Sequence, residues 1–183
     1  MSSYYYLMAQ LPGILPGTPL AITYDRFVET ASRFLSSRDS RILASLSLEP
    51  PRDTVSTGSR LLDSWYAKER ALRMALEKMR AARMKRDYSV RTDDEEYIGR
   101  MPEVQQIARN ALAMDNPLEA ERYLDSVRLN AVENLRGNHF FDSEAVFAYG
   151  LMVLLHERSD RFTVDAGSSS YTAIYHQILE NNV

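Results

Sequence analysis

The chain contains no cysteine. That absence excludes disulfides, a thiolate metal site and a thiol nucleophile, and it fits a reducing compartment. Side-chain charge is missing from residues 1–24, yet this stretch does not read as a signal peptide. No basic region leads it, and Pro12, Pro16 and Pro19 interrupt its apolar run. Long hydrophobic runs are missing too. The uncharged segment Ala145–Leu155 has about half of the roughly 20 residues that a transmembrane helix needs. The expectation is therefore no direct membrane span. Glycines are few and wrongly spaced for a phosphate loop: "TGSR" around Gly58 and "AGSSS" around Gly167 lack the required Gly-Lys-Ser/Thr ending. Ser168, Ser169 and Ser170 are outside any G-x-S-x-G setting and read as a turn and helix cap. With 3 histidines, His156-Glu157 opens like a zinc motif, but Asp160 occupies the place of its second histidine. No metal, no cofactor and no catalytic set is expected, so the chain reads as a non-enzyme.

What is present is ordinary for a globular protein: 183 residues, 45% hydrophobic and 26% charged. That length fits one domain over residues 1–183. Possible sub-units 1–50 and 59–183 are joined by the Pro/Ser/Thr/Gly-rich "EPPRDTVSTGS".

The periodic signals are helical. Tyr4, Leu7, Met8 and Leu11 fall on one helical face stopped by Pro12, although a short strand through Tyr4, Tyr6 and Met8 competes. The apolar loop "LPGILPGTPL" is expected to lie across the core. Thr23 caps a helix bearing Phe27, Val28, Ala31, Phe34 and Leu35. A short helix through Ile42, Leu43 and Leu46 follows. The longest helix is predicted over about 60–86, with Leu62, Trp65, Leu72, Leu76 and Met79 on a stripe and Glu69 in its one missing slot. Thr92 and the acidic tetrad Asp93–Glu96 suit a helix start. Pro102 opens the next helix. Another carries Leu118 to Leu135 and ends at Gly137. Asp142 caps the segment 143–158, whose apolar residues cover most of its circumference, as in a helix buried at the middle of a bundle. Within it, Gly150 suggests close approach of a neighbour. A last helix bears Tyr171, Ile174, Ile178 and Leu179. The fold class is all-α, an array of about seven or eight helices.

The net charge of −3 gives no general attraction to nucleic acid. Locally, eight Lys or Arg from Lys68 to Arg86 face only Glu69 and Glu77. Arg73, Arg80, Arg83, Lys85 and Arg86 are the candidate partner-binding residues, with a solvated face as the bland alternative. Nucleic acid is not the expected partner, because no aromatic residues interleave with the arginines.

Four stretches, "YYYLMAQLP", "LLDSWYAKERALRMALEKMRAAR", "NPLEAERYLDSVRLNAVENL" and "HFFDSEAVFAYGLMVLLHER", together resemble a bacterial family encoded in operons for V/A-type rotary ATPases. A fainter similarity concerns the C subunit of those ATPases (d in eukaryotes), an all-helical subunit about twice this length that joins the central stalk to the membrane rotor ring. It carries a motif like aromatic-x-x-E-x-V-x-A-Y, which Phe141, Glu144, Val146, Ala148 and Tyr149 match as family-motif core residues. The resemblance implies a non-enzymatic adaptor or accessory protein, partnered by other ATPase subunits at the cytoplasmic face of the membrane. The alternative expectation is a stand-alone helical module that binds an acidic partner or nucleic acid through helix 68–86.

Overall fold

A computed structural model describes residues 4–14, 18–51, 56–88, 99–162 and 164–181. Among them are eight α-helices and no strand: α1 (Tyr5–Gln10), α2 (Tyr24–Ser32), α3 (Ser37–Ala44), α4 (Arg60–Arg83), α5 (Pro102–Leu112), α6 (Pro117–Arg136), α7 (Ser143–Asp160) and α8 (Val164–Asn181). The all-α expectation holds, and α1 resolves the helix-or-strand question in favour of helix. The proposed helix start at Thr92 and Asp93–Glu96 lies outside the described residues.

Helix α7 organises the bundle. Its residues Ala145–Val153 and Leu155 are all buried, so it needs neighbours on every side. Helix α6 packs along one flank, α4 along another, and α2 and α3 close the remainder. Gly150 is where α2 and α3 come closest: a Cβ there would stand 2.8 Å from a Leu46 methyl, 3.2 Å from the Phe27 ring and 3.3 Å from Leu43. The glycine trades helix propensity for that approach.

Both ends of α7 also serve other helices. Near its start, Glu144 accepts from the Ser59 hydroxyl (2.6 Å) and from the N–H groups of Leu61 (3.0 Å) and Arg60 (3.3 Å). Ser59 in turn accepts from the Leu62 N–H at 3.2 Å. The first turn of α4 is thus satisfied by a carboxylate from another helix, where negative charge complements the helix dipole. In the last turn at the other end, on the α2 side, Glu157 accepts from the Tyr24 N–H at 2.8 Å. Asp142 caps α7 itself through the Ala145 N–H at 3.1 Å.

Two apolar clusters form. The larger joins Tyr4, Leu7, Phe27 and Leu43 to Leu62, Trp65, Val132 and the α7 residues, so segments on both sides of the 51–59 connection share it. The smaller joins Ala71, Leu72, Ala75 and Leu76 of α4 to Val104, Ala108 and Ala111 of α5 and Leu124 of α6. The first half of α4 therefore belongs to one core and its second half to the other. The loop after α1 lies on the larger cluster through Leu11, Ile14 and Leu20. It is pinned where the Tyr149 hydroxyl donates to the Pro12 carbonyl at 2.9 Å. Burial pushes the Tyr149 phenol up to about 12.

One boundary differs from expectation. Ser168, Ser169 and Ser170 are inside α8, not in a turn before it. The break falls earlier, at the α7 C-cap Arg161, because isolated Gly and Ser weaken a helix by only about 1 kcal/mol or less each and do not have to end it.

Gly150→Val is expected to lower unfolding stability by about 1–3 kcal/mol through overpacking against Phe27, Leu43 and Leu46. Urea denaturation followed by circular dichroism measures this.

Candidate docking surface

The stripe on α4 contains a carboxylate where an apolar residue would fit, and the structure supplies its partners. Glu69 is only 3% exposed. Arg128 of α6 grips it in fork geometry, Nε to Oε2 at 3.0 Å and Nη2 to Oε1 at 3.1 Å. Arg73, one turn along α4, adds Nε to Oε1 at 2.8 Å. The chain of charge continues from Arg128 to Asp125 at 3.1 Å, from Asp125 to Arg158 of α7, and from Arg158 to Glu121 at 2.7 Å. Three arginines and three carboxylates thus alternate across three helices. Glu69 and Arg128 sit at the seam between the two apolar clusters, where the pairing cancels charge that burial would otherwise penalise heavily.

Beside this network a cleft of about 790 Å3 opens along the second half of α4. Its walls include Arg73, Arg80, Arg86, Glu121, Arg128 and Arg158. The five candidate partner-binding residues separate here by what they already hold. Arg73 is occupied by Glu69 and lies 3.7 Å from Glu49. Arg83 donates to the Leu112 carbonyl at 3.0 Å and so closes the end of α5. Arg80, Lys85 and Arg86 are exposed and form no ion pair among the described residues.

Their helix end has unusual backbone geometry. The Lys85 N–H bonds to the Ala82 carbonyl at 3.2 Å and the Arg86 N–H to the Ala81 carbonyl at 3.0 Å. This is the double closure of a Schellman turn, with Lys85 in the left-handed position (φ +52°) that usually falls to glycine. A lysine there costs about 1–2 kcal/mol relative to an unstrained residue.

The family-motif residues have structural roles. Val146 and Ala148 are fully buried and Tyr149 nearly so, while Glu144 is the N-terminal acceptor of α4. Phe141 differs from its motif neighbours in being 46% exposed. Its backbone carbonyl holds the Tyr4 N–H at 2.5 Å, and its ring lies 4.9 Å from Tyr5. The reason is its place before the N-cap Asp142, outside the helix that buries its motif neighbours. With Tyr6, which is 75% exposed, and Phe140, it completes a surface cluster of four aromatic rings. Sequence reasoning missed Tyr5 and Tyr6 as a surface feature. The available signal was that both fall off the Tyr4–Leu7–Met8–Leu11 face.

Among the described residues, no helix is long and apolar enough to cross a membrane, and no group of three or more His, Asp or Glu is placed to hold a metal ion. No family model, curated protein or solved structure matches the chain.

Two outcomes follow from the electrostatics. Arg128→Met is expected to destabilise by about 3–5 kcal/mol by leaving Glu69 short of its buried partner, whereas Glu69→Met combined with Arg128→Met recovers most of that loss. A double-mutant cycle by urea denaturation reads the coupling. Lys85→Gly is expected to gain up to about 1 kcal/mol by relieving the left-handed lysine, seen as a raised Tm.

Proposed function

We propose that this chain is a non-enzymatic helical adaptor or accessory protein of a V/A-type rotary ATPase, docking at the cytoplasmic face of the membrane between central stalk and rotor ring. The observation that carries the docking part of this reading is the end of α4. Arg80, Lys85 and Arg86 stand exposed and without ion pairs among the described residues, and one of them is held in a strained backbone position. Strain of that kind persists where the rest of the structure compensates for it, and it concentrates at functional sites. The partner is an acidic protein surface, since charge complementarity steers association and sets register.

The ATPase part rests on the four resembling stretches and on the all-helical build they imply. The way Glu144 ties α7 to α4 supports a rigid adaptor, because it makes the motif a joint between helices. Helix 68–86 offers less to nucleic acid than its charge count suggests. Arg73 is committed to Glu69, Arg70 donates to the Pro51 carbonyl at 2.5 Å, and Arg83 is committed to Leu112.

The test is a tagged pull-down from native membranes, with co-purifying proteins identified by mass spectrometry. Stalk and ring subunits are expected at near-stoichiometric recovery. The triple reversal Arg80→Glu, Lys85→Glu, Arg86→Glu is expected to lower that recovery at least about tenfold, with helicity and Tm retained. Recovery without ATPase subunits sinks the assignment. Unchanged recovery after the reversal sinks the docking surface alone.

A further inference from the structure

One face from each of three helices meets around a cavity of about 280 Å3. Its apolar wall takes Trp65 and Leu72 from α4, Val104 and Ile107 from α5, and Val127 and Ala131 from α6. Trp65 belongs to the larger apolar cluster, whereas Leu72 and Val104 belong to the smaller. The cavity therefore lies at the seam between the two cores. Its volume is about twice the roughly 150 Å3 that encloses one benzene ring in an apolar protein cavity. That approaches the roughly 300 Å3 at which small-molecule sites begin.

The rest of the lining is polar but carries no net charge, since Lys68 and Arg128 are matched by Glu69 and Glu103. Glu69 and Arg128 face the cavity as a closed pair, further engaged by Arg73 and Asp125. Lys68 and Glu103 are on the facing helices α4 and α5, one of each sign. One buried polar group is left over. Trp65 is 1% exposed, and its indole N–H has no acceptor among the described residues. Folded proteins leave few buried donors unpaired, and such a donor on a cavity-lining residue suits a bound molecule that brings an acceptor.

We propose that the α4–α5–α6 cavity binds an uncharged organic molecule of about ten heavy atoms, its apolar body against Leu72, Val104, Ile107, Val127 and Ala131 and one carbonyl-type oxygen accepting from the Trp65 N–H. The shape follows from the volume, and the oxygen from the orphaned donor. The absence of charge on the ligand follows from the lining. An ion there would gain no excess of opposite charge to offset the loss of its water. Because the bound molecule touches both clusters, it also joins the two cores and raises the stability of the fold by mass action.

The probe is 2-adamantanone, a rigid cage with one ketone oxygen. Trp65 is the single tryptophan of the chain, so its emission reports on the cavity wall alone. Titration of the full chain is expected to quench that emission saturably, with a dissociation constant on the order of 10–100 µM, and to raise Tm. Adamantane-1-carboxylate and 1-aminoadamantane, the same cage with a charge of either sign, are expected to bind at least about tenfold more weakly. Ala131→Phe fills the cavity and is expected to abolish binding, and Val127→Phe fills it from the preceding turn should the first variant disturb α6. Circular dichroism checks that each variant keeps its fold. Trp65→Phe keeps a ring but removes the donor, and calorimetry is expected to show the ketone bound about tenfold more weakly. No saturable response to the ketone overturns the proposal. So does a charged cage that binds as well as the ketone, binding that survives both filling variants in their folded form, or an unchanged affinity in Trp65→Phe.

Discussion

A helix that is apolar on every side has to be covered on every side, and most of this architecture follows from covering α7. Its flanks recruit α6 and α4, and its remaining face draws α2 and α3 from a part of the chain more than a hundred residues away. Gly150 lets that last contact close. The loop after α1 is drawn in by the same demand, with the Tyr149 hydroxyl answering a loop carbonyl that would otherwise be left without a donor.

Covering α7 also joins helix ends that are far apart in sequence. Glu144 and Glu157 are too polar for the interior of the core, and each faces the N-terminus of another helix, α4 and α2 respectively. Each carboxylate gains N–H donors and a favourable dipole, and each incoming helix gains an acceptor for its orphan groups. The alternating network from Arg73 to Glu121 does the equivalent work at the seam between the two cores. It fixes the register of α4, α6 and α7 by geometry that apolar contacts, being non-directional, do not impose.

The charged surface was only partly legible. Counting lysines and arginines marked helix 68–86 as basic but could not separate residues already engaged from those left over. Arg73 and Arg83 lie in the same run as Arg80, Lys85 and Arg86, and only their three-dimensional neighbours tell them apart. The carboxylate in the α4 stripe was visible as an irregularity at Glu69. Its partner Arg128 is 59 residues away, beyond the reach of local pattern. Phe141 shows another limit: the motif pattern says nothing of burial, and this residue sits on the surface one step before a helix cap.

The sequence by itself determined the helical class, the caps at Thr23 and Asp142, the helix start at Pro102, the buried character of 143–158 and the close approach at Gly150. Those features are written in residues within a few positions of one another, where period, propensity and capping chemistry operate. Only the tertiary structure decided which helices touch, that α4 divides between two cores, and where Glu69, Glu144 and Glu157 find their donors. It also decided that α8 carries its apolar face outward. The physical reason is one of range: a helix forms from contacts three and four residues apart, whereas the partner of a buried charge or an apolar face is set by the packing of the whole chain.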